Sequence, residues 1–202
     1  MKNGEIRYEN YFDGQSSRTR HLVMSVSKSL TGILATFLVA EGKLNRDAKV
    51  MDYIPELKGA APELKNDHGP RTIRQFLTTL KKQGKHGDKF HYVTPTTDVL
   101  CWLTERASGE SFETLLSDRL WSKLGMSRGA FVLVDKSGTP SCGGGVNATA
   151  IDLAKVGVML LNKGEFNGKK SCRTRPQRAS LLAAILMYLR KVDLRQKGWL
   201  EL

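Results

Sequence analysis

Ser25 and Lys28 stand three positions apart at the mouth of an apolar run, Leu30 to Ala40. On a helix, that spacing places both side chains on one face, one turn from each other. A serine nucleophile needs a base to take its proton, and a lysine one turn away can serve where no histidine does. Burial along an apolar helix face disfavours the ammonium relative to the amine that accepts a proton. Ser25 itself would sit at the positive end of the helix dipole, which favours negative charge developing there. A serine and a lysine at this spacing are expected roughly once by chance in a chain this long, so the surroundings decide. The same two residues also fit a plain helix cap and a first-turn surface charge.

The elements that must position this pair follow from the apolar pattern. Leu30, Ile33, Leu34, Phe37 and Leu38 keep helical spacing over 25–41, apolar nearly all round, with Gly42 as the stop. The alternation over Glu5–Phe12, closed by Asp13-Gly14, predicts a strand and a turn. The segment 52–62, with two prolines, reads as a loop, and 72–82 as a short helix. Thr96 or Thr97 can cap a helix through Leu100, Leu103 and Ala107 to Gly109. Ser111 caps another that ends at Gly125. Ala130–Val134 predicts a strand with its turn at Lys136-Ser137-Gly138. Thr149 with Asp152 resembles a capping box opening a helix to Leu161.

The bulk properties narrow the class. With 202 residues, 40% hydrophobic and 26% charged, the chain has the composition of a soluble globular protein with a buried core. Met1 to Gln15 is polar and alternating, so no secretory leader is expected there, and Leu30–Ala40 and Leu181–Leu189 are too short to cross a bilayer. The net charge of +12 gathers partly in 71–89 and 169–197, without the interleaved aromatics of a single-strand binder. No nucleic-acid or membrane partner is therefore expected. Cys101, Cys142 and Cys172 are widely spaced, which favours a reduced, cytoplasmic setting and suggests no metal site. His21, His68, His86 and His91 show no ligand spacing and read as surface residues.

Two further motifs carry chemistry only as decoys. Gly125-Met126-Ser127-Arg128-Gly129 has the letters of a nucleophile elbow, but its order is helix, turn, strand rather than strand, turn, helix. Lys136-Ser137-Gly138 lies in a hairpin turn.

The stretch 24–32, Met-Ser-Val-Ser-Lys-Ser-Leu-Thr-Gly, entering a buried helix, resembles the serine β-lactamase and penicillin-binding-protein superfamily. Glu41-Gly42-Lys43-Leu44 through Tyr53-Ile54-Pro55-Glu56 is similar to the loop after its nucleophile helix. Phe90-His91-Tyr92-Val93-Thr94-Pro95-Thr96-Thr97-Asp98 resembles the tyrosine motif of the class C-like branch. Leu120-Trp121, Leu124-Gly125-Met126, Gly143-Gly144-Gly145 and Asp152-Leu153-Ala154 also fit. Over about residues 4–170 the set is most similar to the 6-aminohexanoate-dimer hydrolases and related esterases.

That resemblance implies an α+β, β-lactamase-like fold: a helical cluster with an antiparallel sheet. It also implies a serine hydrolase that cleaves small amides or esters through an acyl-Ser25 intermediate. Lys28 would be the base, Tyr92 the proton relay and Thr94 a substrate-binding residue, with no cofactor and no metal. A catalytically impaired remnant or a non-catalytic binding module of the same fold is the alternative.

The family pattern is incomplete here. Its third motif lies on a strand after the glycine triplet and its helix, and supplies one oxyanion-hole N–H. Losing one such donor lowers turnover about a hundred- to a thousandfold. Only 67 positions separate Ser25 from Tyr92, and Thr94 stands where the family often has asparagine. We therefore expect a partial hydrolase domain over 1–170, with later sheet strands missing, and an atypical basic tail with an apolar helix over 171–202. The sequence leaves the oligomeric state open.

Overall fold

The computed structural model describes residues 5–58, 72–80 and 92–166, together with the backbone of 169 and 170. The tail from 171 with its apolar stretch, most of the basic segment 71–89, and His68, His86 and His91 lie outside the described residues.

Helix α1, Val26–Ala40, forms the centre. Leu30, Ile33, Leu34 and Leu38 are almost wholly shielded, with Leu34 0% exposed. Burial on nearly every side fits a helix whose middle carries no charge. A one-turn helix α2, Val50–Tyr53, and a 3₁₀ turn at Pro55–Leu57 occupy part of the segment read as a loop. Helix α3, Ile73–Leu77, is closed by a capping box between Thr72 and Gln75.

Helix α4, Thr94–Ser108, packs against α1. It begins earlier than the threonine caps suggest, with Val93 as N-cap. Pro95 lies in its first turn, where a missing N–H costs nothing. Helix α5, Phe112–Leu116, is capped by Ser111, whose Oγ accepts from Thr114 N. A wider π turn at Ser117–Trp121 and a 3₁₀ turn continue it to Gly125, left-handed at φ 56°. Phe112, Leu115, Leu120 and Leu124 close the core from this side.

Strands β1, Arg20–Leu22, β2, Phe131–Val132, and β3, Val146–Thr149, form an antiparallel sheet in the order β1-β3-β2. Arg20 faces Thr149 and Leu22 faces Asn147, while Val132 faces Val146. Helix α6, Ala150–Leu161, leaves β3 directly, and Thr149 Oγ1 accepts from Asp152 N as its cap. A short ladder of β4, Glu165–Phe166, and β5, Lys169–Lys170, follows.

Two expectations need correction. Residues 6–12 form no strand: Ile6, Tyr8 and Phe12 stay exposed, with no packed surface to reward the alternation. The Asp13-Gly14 turn is present, both residues at positive φ. The cysteines, far apart in sequence, are not all far apart in space: Cys101 on α4 and Cys142 are joined as a disulfide.

Candidate active site

The chain enters α1 through a tight turn hung from the sheet. Val23 N donates to Val146 O at 2.9 Å. Met24 then takes φ 46°, a left-handed conformation unusual for a residue with a side chain. Ser25 follows as N-cap, but its hydroxyl makes no capping hydrogen bond. Instead Ser25 Oγ accepts from Lys28 Nζ at 3.2 Å.

A strap, Cys142–Val146, runs along the first two turns of α1. Ser27 Oγ accepts the Val146 N–H at 3.1 Å. Thr31 Oγ1 lies 3.2 Å from the Cys142 carbonyl and 3.1 Å from that of Ser27. Lys28 Nζ donates to the Gly143 carbonyl at 2.5 Å, so this amine bridges the strap and Ser25.

Helix α4 supplies the opposite wall. The Lys28 ammonium nitrogen lies 5.1 Å from the centroid of the Tyr92 ring, within the range of a cation–π contact. Tyr92 precedes α4 and is 41% exposed. Thr94, the first residue of α4, is exposed, and its Cγ2 comes so near Gly143 that a Cβ there would sit 2.5 Å away. Glycine at 143 lets strap and helix approach this closely without displacing the Thr94 side chain. Ser25 and Tyr92 thus lie against the Lys28 side chain, while Lys28 and Thr94 lie against Gly143.

Asp98 belongs to the same arrangement, and sequence reasoning gave it no role. One turn beyond Thr94 on α4, its Oδ1 accepts the Gly143 N–H at 2.9 Å. Burial pushes its carboxyl above the ordinary range. The Gly143 hydrogen bond and the Lys28 charge pull the other way, and burial prevails. The spacing from Thr94 was the only local signal.

The two decoys sit elsewhere. Ser127 N and Oγ bind the buried Asp152 carboxylate, at 2.7 Å and 3.0 Å to Oδ1, which makes the turn an anchor for α6. Lys136 is exposed in the turn bracketed by the Val134–Pro140 bridge. Among the described residues no helix is long and apolar enough to cross a membrane, and no group of three acidic, histidine or cysteine side chains is placed to hold a metal.

Comparison with known proteins is consistent in kind. Residues 1–183 match the beta-lactamase family model. A curated 6-aminohexanoate-dimer hydrolase from Paenarthrobacter ureafaciens is 34% identical, over 83% of this chain and 52% of its own length. A beta-lactamase from Providencia stuartii is 46% identical over 46 residues, 23% of this chain and 12% of its own. A solved structure from Bacillus anthracis, provisionally described as a 6-aminohexanoate-dimer hydrolase, superposes with a TM-score of 0.78 at 28% identity. It covers 84% of this chain and 55% of that one. A Bacteroides dorei structure, provisionally described as a beta-lactamase, reaches 0.68 at 18% identity, covering 84% of this chain and 58% of its own, and speaks to the fold alone. The chain spans about half the length of the 6-aminohexanoate-dimer hydrolase it matches.

Proposed function

Because this chain belongs to the beta-lactamase family, we propose that it is a serine hydrolase that cleaves small amides or esters through an acyl intermediate on Ser25. The observation that carries the proposal is the Ser25 hydroxyl, turned away from capping its helix and held 3.2 Å from the Lys28 amine. That distance suits direct proton transfer between a nucleophile and its base.

In this reading Ser25 Oγ attacks the substrate carbonyl carbon as its proton passes to Lys28 Nζ. The tetrahedral adduct collapses, the bond to the amine or alcohol breaks, and that leaving group takes a proton relayed by Tyr92. Water then cleaves the Ser25 ester, releases a carboxylic acid and restores the hydroxyl. Thr94, at the start of α4, offers a hydroxyl to the substrate. The relative's name points to a linear amide, which sets the first substrates to try. Nothing in these steps calls for a cofactor.

The proposal takes residues 1–170 as the hydrolase portion and 171–202 as a tail, although the family match continues to 183. It also places the protein in the cytoplasm, where thiols are kept reduced, so Cys101 and Cys142 would be a dithiol in the living cell.

A chromogenic small ester tests the chemistry. An acyl-enzyme route gives a burst of alcohol stoichiometric with protein, and an acyl mass increment that maps to Ser25. Turnover without an increment on Ser25, or no reaction by a folded chain, removes the proposal and leaves the non-catalytic binding module.

A further inference from the structure

We propose that Asp98 is a positioning residue for Lys28: its carboxylate holds the Gly143 peptide on which the amine rests, and supplies negative charge that favours the ammonium formed when Ser25 gives up its proton. The inference rests on the acyl-Ser25 reading for its mechanistic meaning, but not for its test.

The geometry makes Gly143 the link. Its N–H is held by Asp98 Oδ1 at 2.9 Å, and its carbonyl receives Lys28 Nζ at 2.5 Å. The same two elements also meet at Cys101, one turn beyond Asp98 on α4, whose side chain abuts Cys142 of the strap. A Cβ at 143 would meet Thr94 Cγ2 at 2.5 Å and Asp98 Oδ1 at 3.3 Å, so a larger residue there would displace the Thr94 side chain and press on the carboxylate.

Hydrogen bonding alone does not explain an acid at this position. An asparagine oxygen would accept the Gly143 N–H equally well, without the cost of burying a charge. A carboxylate is worth that cost where a cation has to be offset. The Lys28 charge acts on the Asp98 carboxyl, opposing the effect of burial, so the two groups lie within electrostatic reach of each other across the Gly143 peptide. The logic parallels the buried aspartate of a serine–histidine–aspartate triad, which orients the base and stabilises its cationic form.

The test uses the full chain with Asp98→Asn and Asp98→Glu. Two readouts are taken: the pH profile of Ser25 modification by a fluorophosphonate, and the rate at which an amine-acylating reagent modifies Lys28, mapped by mass. In Asp98→Asn the amine loses a nearby negative charge, so its neutral form is favoured. Lys28 acylation at neutral pH then rises severalfold. Half-maximal fluorophosphonate labelling moves to lower pH, with inhibitor binding before reaction within about twofold of wild type. Asp98→Glu restores most of the wild-type behaviour.

Unchanged Lys28 reactivity in a folded Asp98→Asn chain overturns the inference, whatever happens at Ser25. If wild-type Ser25 is inert while Lys28 reactivity still responds, the hydrolase reading fails and the Asp98–Lys28 coupling stands. Should the asparagine variant not fold, the neutral Asp98→Ser decides by the same readout: a severalfold rise in Lys28 reactivity supports the charge role, and reactivity within about twofold of wild type contradicts it.

Discussion

Ser27 Oγ accepts the backbone N–H of Val146 at 3.1 Å, and both residues are fully buried. The bond fixes the first turn of α1 to the central strand, two residues beyond Ser25 and one before Lys28. Ser27→Ala leaves the Val146 N–H in the core without its partner, a loss of about 1–3 kcal/mol. Urea unfolding at neutral pH should show that decrease. A change under about 0.5 kcal/mol, the range of unremarkable surface substitutions, would mean that the strap is held by other contacts.

Met24 tests the turn that delivers Ser25. Its side chain is 63% exposed, so little burial is lost by changing it, and its backbone is left-handed at φ 46°. Met24→Val puts a β-branched side chain where that conformation is most disfavoured, and should lower stability by about 1 kcal/mol or more. Met24→Gly relieves the strain and should be close to neutral. Thermal unfolding of the two variants decides, and equal midpoints would mean that this turn is not strained.

Two aspartates contribute to the acid limb of stability. For Asp152, 0% exposed, burial raises the carboxyl, but hydrogen bonds from Ser127 N, Thr149 Oγ1 and Ser127 Oγ, with Lys155, outweigh it and hold it low. Asp135 is similar: burial raises it, while Ser137 Oγ and the N–H groups of Ile73, Thr139 and Ser137 bring it down to about 2. A depressed carboxylate stabilises the fold above its unfolded value, about pH 4, and that contribution disappears as pH falls through the folded value. For Asp135 the window therefore runs from about pH 4 down to about 2. Asp152→Asn should be less stable by about 1–3 kcal/mol near neutrality, with the gap to wild type closing below about pH 4. A gap independent of pH would contradict the assignment.

Cys101 and Cys142 are 41 positions apart in sequence. A bond closing such a loop contributes about 4 kcal/mol in the chain-entropy account. After treatment with a small-molecule disulfide, peptide mapping should find these two cysteines linked, and reduction should lower the unfolding midpoint. Alkylation inside cells before lysis should instead find both as thiols if the location is cytoplasmic. A different pairing after oxidation would contradict the fold around α4.

How much was legible beforehand follows from the range of each signal. Helix α1 was readable because Leu30, Ile33, Leu34, Phe37 and Leu38 carry its period locally, and α6 because Thr149 and Asp152 state its start. Strand β1 was not, since three residues hold no periodicity and its place comes from pairing with β3, far along the chain. Residues 6–12 show the converse: a clean alternation with nothing to pack upon. At the site, Ser25 and Lys28 share one helical turn and could be paired on sight. Tyr92 and Thr94 were reachable only through family resemblance. Asp98 became visible only through Gly143, 45 positions away, whose two polar groups tie it to Lys28.

The most direct measurement of the central claim is the site and rate of covalent labelling by a fluorophosphonate, in wild type and in Lys28→Met. The account predicts a single adduct on Ser25, formed about 10²–10⁴-fold more slowly without the lysine. An adduct on Ser127, no adduct on a folded chain, or an equal rate in Lys28→Met would contradict it.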